Sequence, residues 1–372
     1  MAATPKKTTP NRVAILSIDG GGIRGILPAI FLAEVERRTG KPIASLFDLI
    51  AGSSTGGMLA LIANIPNEIG QPLYRADQFA DLYTQRAKVI FSRTRWEAIL
   101  AMDNWSQRRY PNTGIAETLE DLFKELRLNQ AVTDVLVTSY DIERREPVFF
   151  RSYFARQFEA ENFLMRDVIR STTAAPTFFE PAKIPHPEAA DEYYALVDGS
   201  MTAINPAMCA YIEARDMFPH ADEIVLVSIG TGNLTQPLPY EDVRKWGLLN
   251  WVRPLSDIMF DGSSRTVDYQ LRRLLPDDPD GTRHYYRFQK RIEGFDHRMD
   301  DASDFSLGMI HQWAREMLQE NDAQIDALCH ILTAYKAPQV HTEETRRRFL
   351  RLSNWAFWRR GRNRTEDKPK AK

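Results

Sequence analysis

Short, almost uninterrupted apolar runs alternate along this chain with longer amphipathic stretches. The runs predict buried strands near residues 13–18, 47–51, 134–140, 194–197 and 224–229. The stretches between them are long enough to form helices, which indicates βαβ units. We therefore predict an α/β fold with a mostly parallel sheet.

The second apolar run leads into Gly52-Ser53-Ser54-Thr55-Gly56, and the apolar stretch 58–63 after it predicts a helix. A G-x-S-x-G pattern between a strand and a helix is typical of a nucleophile elbow, a tight turn that holds a serine hydroxyl out of the top of a sheet. The two outer glycines leave the room that side chains would fill. Ser54 is therefore a candidate nucleophile, and the alternative is a plain loop with a helix N-cap.

The first run leads into a second glycine-rich turn, Asp19-Gly20-Gly21-Gly22-Ile23-Arg24-Gly25, and the apolar stretch 26–32 predicts a helix after it. Consecutive glycines let backbone N–H groups converge on one point, where the N-terminus of the following helix adds partial positive charge. Such a turn can bind a phosphate, or it can stabilise the oxyanion of an acyl-transfer intermediate.

The glycines at positions 20, 22 and 25 also match the fingerprint of dinucleotide-binding enzymes. That fingerprint requires an acidic residue at the end of the next strand, where it binds the ribose. The next strand of this chain ends in the serine turn instead. The pattern therefore argues against a nicotinamide or flavin enzyme.

A third candidate is Asp198, which follows the short apolar run 194–197 and precedes Gly199. In open α/β sheets the carboxyl ends of the strands form the rim on which sites lie, so we expect Asp198 beside the two glycine-rich turns. The alternative is an ordinary Asx turn that closes a strand.

In their order along the chain, the segments Asp19–Gly25, Gly52–Gly56 and Asp198–Gly199 closely resemble the patatin-like phospholipases. The stretch Ser171-Thr-Thr-Ala-Ala-Pro-Thr-Phe-Phe179 and the strand Glu223-Ile-Val-Leu-Val-Ser-Ile-Gly-Thr-Gly232 match the same family, so the resemblance covers residues 11–235. It implies a patatin-like three-layer α/β/α fold with appended C-terminal helices. It also implies a lipid acyl hydrolase with a Ser–Asp dyad, no catalytic histidine, no metal and no other cofactor.

The resemblance further implies residue roles. Ser54 would be the nucleophile, Asp198 the general base, and the backbone N–H groups of Gly21, Gly22 and Ile23 would line the oxyanion hole. The residues expected to support these groups are Asp19, Gly20, Arg24, Gly25, Gly52, Gly56 and Gly199.

A carboxylate can activate a serine hydroxyl, because any correctly placed base can accept its proton. Asp198 would need partial burial, since an aspartate near its reference pKa of ~3.9 is a weak base. The chain departs from the family at Ser200, where Gly or Ala is usual, and we expect the added hydroxyl to lower the basicity of Asp198. Arg24 is expected to order the glycine turn or to add positive charge near the oxyanion, and the alternative is a salt bridge on a helix surface.

A Ser–Asp–His triad is the competing mechanism. Its histidine would have to follow Asp198, and the candidates are His220, His284, His297, His311 and His330. None of the five has a recognisable catalytic context, so a structural role is the expectation for each.

Composition fits one large domain. The 372 residues are 43% apolar, and the two cysteines, Cys209 and Cys329, are far apart and lack metal-ligand spacing, which indicates buried thiols in a reducing compartment. Residues 1–10 lack a signal-peptide core, and no apolar run reaches the ~18 residues that span a bilayer. We expect a cytoplasmic protein with peripheral membrane association.

The same observations suggest a division of the chain. We expect a disordered polar N-terminus over residues 1–10, a catalytic domain over 11–340, and a basic tail over 341–372 that contains aromatic residues. Within the catalytic domain, the core that bears the motifs covers 11–235 and a helical and loop extension covers 236–340.

The tail changes how the overall charge of −2 is understood. Residues 341–372 contain eleven Lys/Arg and four Asp/Glu, a net of +7, so the rest of the chain carries −9. Arginines alternate there with aromatic residues such as Trp355 and Trp358, a composition that suits anionic headgroups. Packing of these aromatic residues on the catalytic domain is the alternative. No nucleic-acid partner is expected, because no nucleic-acid fold accompanies the tail.

Three further stretches carry predictions. Residues 91–111 and 234–280 are rich in aromatic residues and are expected to form a lid or an acyl pocket, or else additional helices. Residues 309–335 predict one or two amphipathic packing helices.

A free hydrolase of this kind would damage the membrane of its own cell, so we expect control by a ligand, a protein partner or homo-oligomerisation. Bacterial relatives implied by the resemblance include antiphage effectors that cyclic nucleotides activate, although no residue here identifies a nucleotide site. The alternative from another class is a catalytically silent membrane-docking or scaffold protein. The intact Ser54, Asp198 and glycine turn argue against it.

Overall fold

The computed structural model describes residues 11–90, 119–189, 191–234, 237–292 and 300–334. The predictions for residues 1–10, for 91–111 and for the tail 341–372 lie outside these ranges, as does His297.

Within the described residues, a main sheet of eight strands is accompanied by a separate pair of two-residue strands. The main strands are β1 (Arg12–Ile18), β2 (Leu49–Ser53), β3 (Asp134–Asp141), β4 (Glu146–Arg151), β5 (Ala182–Pro185), β6 (Tyr193–Val197), β7 (Glu223–Ile229) and β9 (Tyr285–Phe288), and the small pair is β8 (Asn233–Leu234) with β10 (Arg291–Ile292). All five strands predicted from the apolar runs are present.

The order across the main sheet is β5-β6-β3-β2-β1-β7-β9, with β4 also paired to β3. Strands β3, β2, β1, β7 and β9 pair in parallel, whereas β4, β5 and β6 enter through antiparallel pairs. The predicted α/β fold with a mostly parallel sheet is confirmed.

The side chains of β1 divide between two hydrophobic cores. Ala14, Leu16 and Ile18 belong to one core, and Val13 and Ile15 belong to the other. Successive side chains of a strand point to opposite faces, so the sheet is covered on both sides and the protein has three layers.

In the described ranges, helices cover both faces of the sheet and also form short connections. They are α1 (Ile26–Thr39), α2 (Thr55–Ile62), α3 (Asp77–Ile90), α4 (Ser152–Ala155), α5 (Met165–Thr172), α6 (Ser200–Ala203), α7 (Ala207–Met217), α8 (Tyr240–Val243), α9 (Leu248–Leu274), α10 (Asp304–Glu320) and α11 (Asp322–Thr333). Helices α10 and α11 pack on α1 at one face, and α7 packs on β1 and β2 at the other. The C-terminal packing helices predicted from residues 309–335 are therefore two.

The direction of β6 differs from the expectation for Asp198. The carboxyl end of β6 was expected on the rim as that of one more parallel strand, but β6 runs antiparallel to β3 and pairs with it only at Tyr140 and Asp141. Strand β4 occupies one edge of β3 along its length, so β6 lies on the same edge as β2, beyond the point where β2 ends. The carboxyl ends of β2 and β6 therefore approach each other head to head, which brings Asp198 to the rim from the direction opposite to that of β2.

Among the helices in the described ranges, none combines the length and the apolar composition needed to cross a bilayer.

Candidate active site

Ser54 alone forms the turn between β2 and α2. Its φ of 50° and ψ of −122° lie in a region that side-chain-bearing residues rarely adopt, so the turn is strained. The glycines on either side allow it by close approach: a Cβ on Gly52 would lie 2.2 Å from the carbonyl oxygen of Gly56, and one on Gly56 would lie 2.1 Å from that of Ile18. The sequence pattern is thus a steric requirement of this turn.

Asp198 contacts the hydroxyl of Ser54. Ser54 Oγ donates a hydrogen bond of 2.7 Å to Asp198 Oδ2, and the Ser200 N–H donates one of 2.7 Å to Asp198 Oδ1. The side chains are in a nearly closed site, because Ser54 is 8% and Asp198 is 3% exposed. The arrangement is that of a hydroxyl and a base in direct contact.

Burial raises the pKa of Asp198 from its ordinary value to about 6, because a charged carboxylate loses solvation there. Hydrogen bonds from Ser54 and from the backbone and hydroxyl of Ser200 act against this rise in pKa. The hydroxyl of Ser200 therefore acts in the direction expected from the sequence. At neutral pH the carboxylate is mostly ionised but far more basic than a solvated aspartate.

The segment at the end of α5 connects the turn that holds Ser54 with the turn that holds Asp198. The Ser54 N–H donates to Thr172 Oγ1 at 2.8 Å, and the Gly199 N–H donates to the carbonyl oxygen of Thr172 at 2.9 Å. The Asp198 N–H in turn donates to the carbonyl oxygen of Ala174 at 3.0 Å. These residues belong to a stretch that the sequence matched to a family without giving it a role, and nothing local in the sequence indicates one.

The glycine turn lies against the serine turn. A Cβ built on Gly20 would be 3.3 Å from Ser54 Cβ and 2.5 Å from Ser200 Oγ. Gly22 has a φ of 57°, and a short 3-10 helix, Gly22–Gly25, leads from it into α1. The structure thus brings the glycine turn, Ser54 and Asp198 together at one rim of the sheet.

Asp19, at the start of the glycine turn, forms a buried ion pair that the sequence did not reveal. The guanidinium of Arg287 donates to both oxygens of Asp19, at 3.0 and 2.6 Å, and also bonds the hydroxyls of Ser228 and Ser264. Arg287 thereby links the turn to β7, to β9 and to α9. The available signal was a single arginine inside the aromatic stretch Tyr285–Phe288, which was not predicted as a strand.

Arg24 is buried, so the helix-surface salt bridge considered for it is wrong. It is 4% exposed, and its guanidinium donates to the carbonyl oxygen of Gly232 at 3.4 Å. Burial lowers the pKa of Arg24 to about 10, which leaves it charged at neutral pH. Its charge lies beside the glycine turn, with Asp257 of α9 the acidic group that acts on it.

The expected lid or pocket segment 234–280 contributes α9, whose inner side faces the glycine turn. Gly20 and Arg24 line a cavity together with Thr231 and with Phe260 and Ser264 of α9. The Asp-Gly-Ser-Ser sequence at 261–264 is part of this helix.

In the part of the chain that the structure describes, no histidine hydrogen-bonds Ser54 or Asp198. His284 instead pairs through Nε2 with Asp278 at 3.0 Å, His311 and His330 lie on α10 and α11, and His220 lies in the loop before β7. These positions agree with structural roles.

Comparison with known proteins gives a consistent result. The model of the family described as "Patatin-like phospholipase" matches residues 16–211, which include both glycine-rich turns and Asp198. "Patatin-like protein 2" of Oryza sativa subsp. indica is 31% identical over 87% of this chain and 88% of its own length. "Patatin-like protein 4" of Arabidopsis thaliana is 29% identical, with 84% of each chain covered.

A relative with a similar degree of identity, "Probable inactive patatin-3-Kuras 1" of Solanum tuberosum, is 30% identical over 84% of this chain and 88% of its own length. Overall similarity therefore extends to a protein whose name marks it as inactive, and activity has to be argued from the site residues. Because the family model matches more than half of the chain and the relatives are similar over most of its length, the chain belongs to the patatin-like phospholipase family.

Proposed function

We propose that this chain is a serine lipid acyl hydrolase of the phospholipase A type, which cleaves acyl esters of membrane phospholipids. The observation that carries the proposal is the 2.7 Å hydrogen bond from Ser54 Oγ to the buried carboxylate of Asp198. A serine on a strained turn, a base in contact with its hydroxyl and a glycine turn at the same rim supply the parts that acyl transfer requires.

In the proposed reaction, Ser54 Oγ attacks the carbonyl carbon of the ester while its proton passes to Asp198. The charge that develops on the carbonyl oxygen is stabilised by N–H groups of Gly21, Gly22 and Ile23. When the bond to the lysophospholipid oxygen breaks, Asp198 gives its proton to that oxygen. Water then attacks the acyl-enzyme, Asp198 accepts a proton from it, and the proton returns to Ser54 Oγ as the fatty acid leaves.

The pKa of Asp198 supports this role. A general base works best when its pKa is close to the working pH, and burial brings the pKa of Asp198 to about 6. A solvated aspartate would be a much poorer base. No histidine is needed for the proton transfer that the geometry supports.

Membrane association is part of the proposal, and the outer side of α9 supports it. Five apolar side chains are exposed in its first half: Leu248 (81%), Leu249 (72%), Leu255 (50%), Ile258 (44%) and Met259 (64%). The inner side of the same helix lines the cavity beside Gly20. We propose a peripheral cytoplasmic enzyme that contacts the bilayer here and through its basic tail. The proposed enzyme is regulated by a cyclic nucleotide or another activator, which the resemblance to the family of antiphage effectors supports.

Acyl release from a short-chain p-nitrophenyl ester and from phospholipid vesicles, with chelator present, tests the proposal. We expect Ser54→Ala and Asp198→Asn to lose about 10³-fold or more in kcat. Ser53→Ala is the matched control, because Ser53 is the adjacent buried serine and its hydroxyl has no hydrogen-bond partner. It should retain activity.

The outcomes separate the alternatives. An active Ser54→Ala enzyme would refute the proposal, and loss in Ser54→Ala without loss in Asp198→Asn would indicate a base other than Asp198, such as one of the downstream histidines. A wild-type chain that neither releases acyl groups nor reacts with a fluorophosphonate at Ser54 would favour the silent scaffold.

A further inference from the structure

Within the glycine turn, the carbonyl groups of the three consecutive glycines, 20 to 22, each have a hydrogen-bond donor. Thr231 Oγ1 donates to the carbonyl oxygen of Gly20 at 2.7 Å, and Thr55 Oγ1 donates to that of Gly22 at 2.7 Å. Between them, the Arg24 N–H donates to the carbonyl oxygen of Gly21 at 3.3 Å. Two of the three bonds thus come from threonine side chains that lie far apart in the sequence.

These bonds control where the N–H groups point. A peptide unit is planar and trans, so its C=O and the N–H of the next residue point in opposite directions. Holding the carbonyl of Gly20 on Thr231 fixes the direction of the Gly21 N–H. Holding the carbonyl of Gly22 on Thr55 fixes the direction of the Ile23 N–H in the same way. These are two of the N–H groups assigned to the oxyanion hole in the proposed function.

Glycine peptides need such support more than others do. Glycine has no Cβ and reaches both signs of φ readily, so a run of three glycines can rotate its peptide planes at low cost. Gly22, with a φ of 57°, already uses this freedom. Without external bonds, the donors would have to be ordered during the reaction, and preorganised donors are what make an oxyanion hole effective.

The fit around the two threonines is tight. Thr231 is 4% and Thr55 is 2% exposed, and a Cβ on Gly21 would lie 2.2 Å from Thr231 Oγ1. One on Gly25 would lie 2.5 Å from Thr55 Cγ2. Both hydroxyls are therefore buried donors, and the loss of the Thr231 hydroxyl removes the hydrogen bond that holds the carbonyl oxygen of Gly20.

We propose that Thr231 and Thr55 are positioning residues for the oxyanion hole, which anchor the carbonyls of the glycine turn so that the N–H groups of Gly21 and Ile23 face the substrate. The proposal rests on the proposed function. Thr55 follows the nucleophile directly and Thr231 follows β7, so the two anchors tie the turn to α2 and to the strand beside β1.

The test compares valine and serine at each position. Thr231→Val puts a methyl group about 2.7 Å from a carbonyl oxygen, which is closer than the usual ~3.5 Å contact, so the carbonyl must turn away. We expect Thr231→Val and Thr55→Val each to lower kcat on a soluble ester about 10²-fold, with KM changed less than about threefold. Thr231→Ser and Thr55→Ser keep the hydroxyl and should recover kcat to within about threefold of wild type.

Thr133→Val is the matched control. Thr133 Oγ1 also bonds a backbone carbonyl, that of Phe47 at 3.1 Å, but at the opposite end of the strands, where β2 and β3 begin. Its kcat should equal that of wild type. A folded Thr231→Val enzyme with wild-type kcat, or a Thr231→Ser enzyme as slow as the valine variant, would overturn the proposal.

A crystal structure of Thr231→Ala supplies a readout that does not depend on activity. Alanine introduces no clash, so the variant is expected to fold, with the Gly20–Gly21 peptide rotated away from its wild-type plane. A Gly20 carbonyl within about 0.5 Å of its wild-type position would overturn the anchoring role. If wild type itself neither cleaved an ester nor reacted with a fluorophosphonate at Ser54, the proposed function would fail, while this structure would still decide whether the hydroxyl holds the peptide.

Discussion

At the scale of single residues, Asp198 accepts a hydrogen bond from Ser54, and burial raises the pKa of Asp198 to about 6. The base must be ionised to accept the proton, so we expect kcat/KM on a soluble ester to fall as pH drops below about 6 and to level off above it. Initial rates from about pH 5 to about pH 8 would show this as a single ionisation.

Ser200→Ala provides a comparison for that profile. The variant removes a hydroxyl that lowers the pKa of Asp198, so the midpoint of its profile should move upward. Profiles of both enzymes that stay flat through this range would contradict the assignment of Asp198 as the base.

The same pKa predicts a cost in stability. The pKa of Asp198 is higher in the folded chain than in the unfolded one, so between about pH 4 and pH 6 the folded state binds more protons, and stability falls as pH rises through this window. Asp198→Asn removes the ionisation. We expect the free energy of unfolding of Asp198→Asn to rise relative to that of wild type as pH rises. The total difference should be roughly 3 kcal/mol, because the pKa of Asp198 is about two pH units higher in the folded chain.

Denaturant unfolding of both chains at about pH 4 and about pH 7 measures this difference. A stability gap that is independent of pH would show that the carboxylate ionises as easily in the folded chain as in the unfolded one.

The sequence identified Ser54 and Asp198 because each lies in a motif whose spacing is imposed by close backbone approach. It did not identify Arg287, Thr172 or Thr231 as parts of the site. Their hydrogen bonds span 268, 118 and 211 residues of chain, so no local pattern records them. Long-range partners of this kind depend on the topology that brings their strands together.

At the scale of elements, α9 combines an inner side at the cavity with an exposed apolar outer side. We expect the double variant Leu248→Ser/Leu249→Ser to bind phospholipid vesicles at least about tenfold more weakly, because burial of each leucine in lipid contributes roughly 2 kcal/mol. Vesicle sedimentation of the inactive Ser54→Ala chain, with and without the double change, measures the loss.

Ile212→Ser is the matched control, since Ile212 is a 53% exposed apolar residue on α7. It should bind vesicles as wild type does, and all variants with Ser54 intact should hydrolyse a soluble ester equally. Equal vesicle binding by the double variant and the control would exclude this part of α9 as the contact.

Element directions show what sequence patterns leave open. Apolar runs indicated where the strands are, and five were found at the predicted places. They carried no information on direction, so β6 was treated as one more parallel strand, although it runs antiparallel to β3. Strand β9 was missed because Arg287 and the short length of the strand break the apolar run.

At the scale of the whole molecule, charge is divided unevenly, with +7 in residues 341–372 and −9 in the rest. We expect the full chain to bind anionic vesicles more tightly than zwitterionic ones, and that preference to weaken between about 50 mM and about 500 mM salt. A chain without residues 341–372 should lose the salt-dependent contribution to vesicle binding and should retain the contribution of the apolar side chains of α9. A preference for anionic lipid that survives this truncation would place the basic contact elsewhere.

The overall architecture was predictable because its signals are redundant: apolar strands, helical spacers and ordered motifs all indicate the same α/β fold. The arrangement of the site residues at the rim of the sheet was less predictable from the sequence. Asp198 reaches Ser54 only because β6 continues along the edge of β3 that β2 leaves free, a property of pairing register and not of any residue.

The backbone of Ser54 has a consequence for the directed evolution of this protein. Its φ of 50° and ψ of −122° are disfavoured for serine but readily adopted by glycine. Exchange for glycine would relieve strain of about 1–3 kcal/mol and would remove the hydroxyl that the proposed chemistry requires. A library sorted for heat resistance alone is therefore expected to accumulate inert variants at this position, so any such selection has to be coupled to a screen for ester turnover.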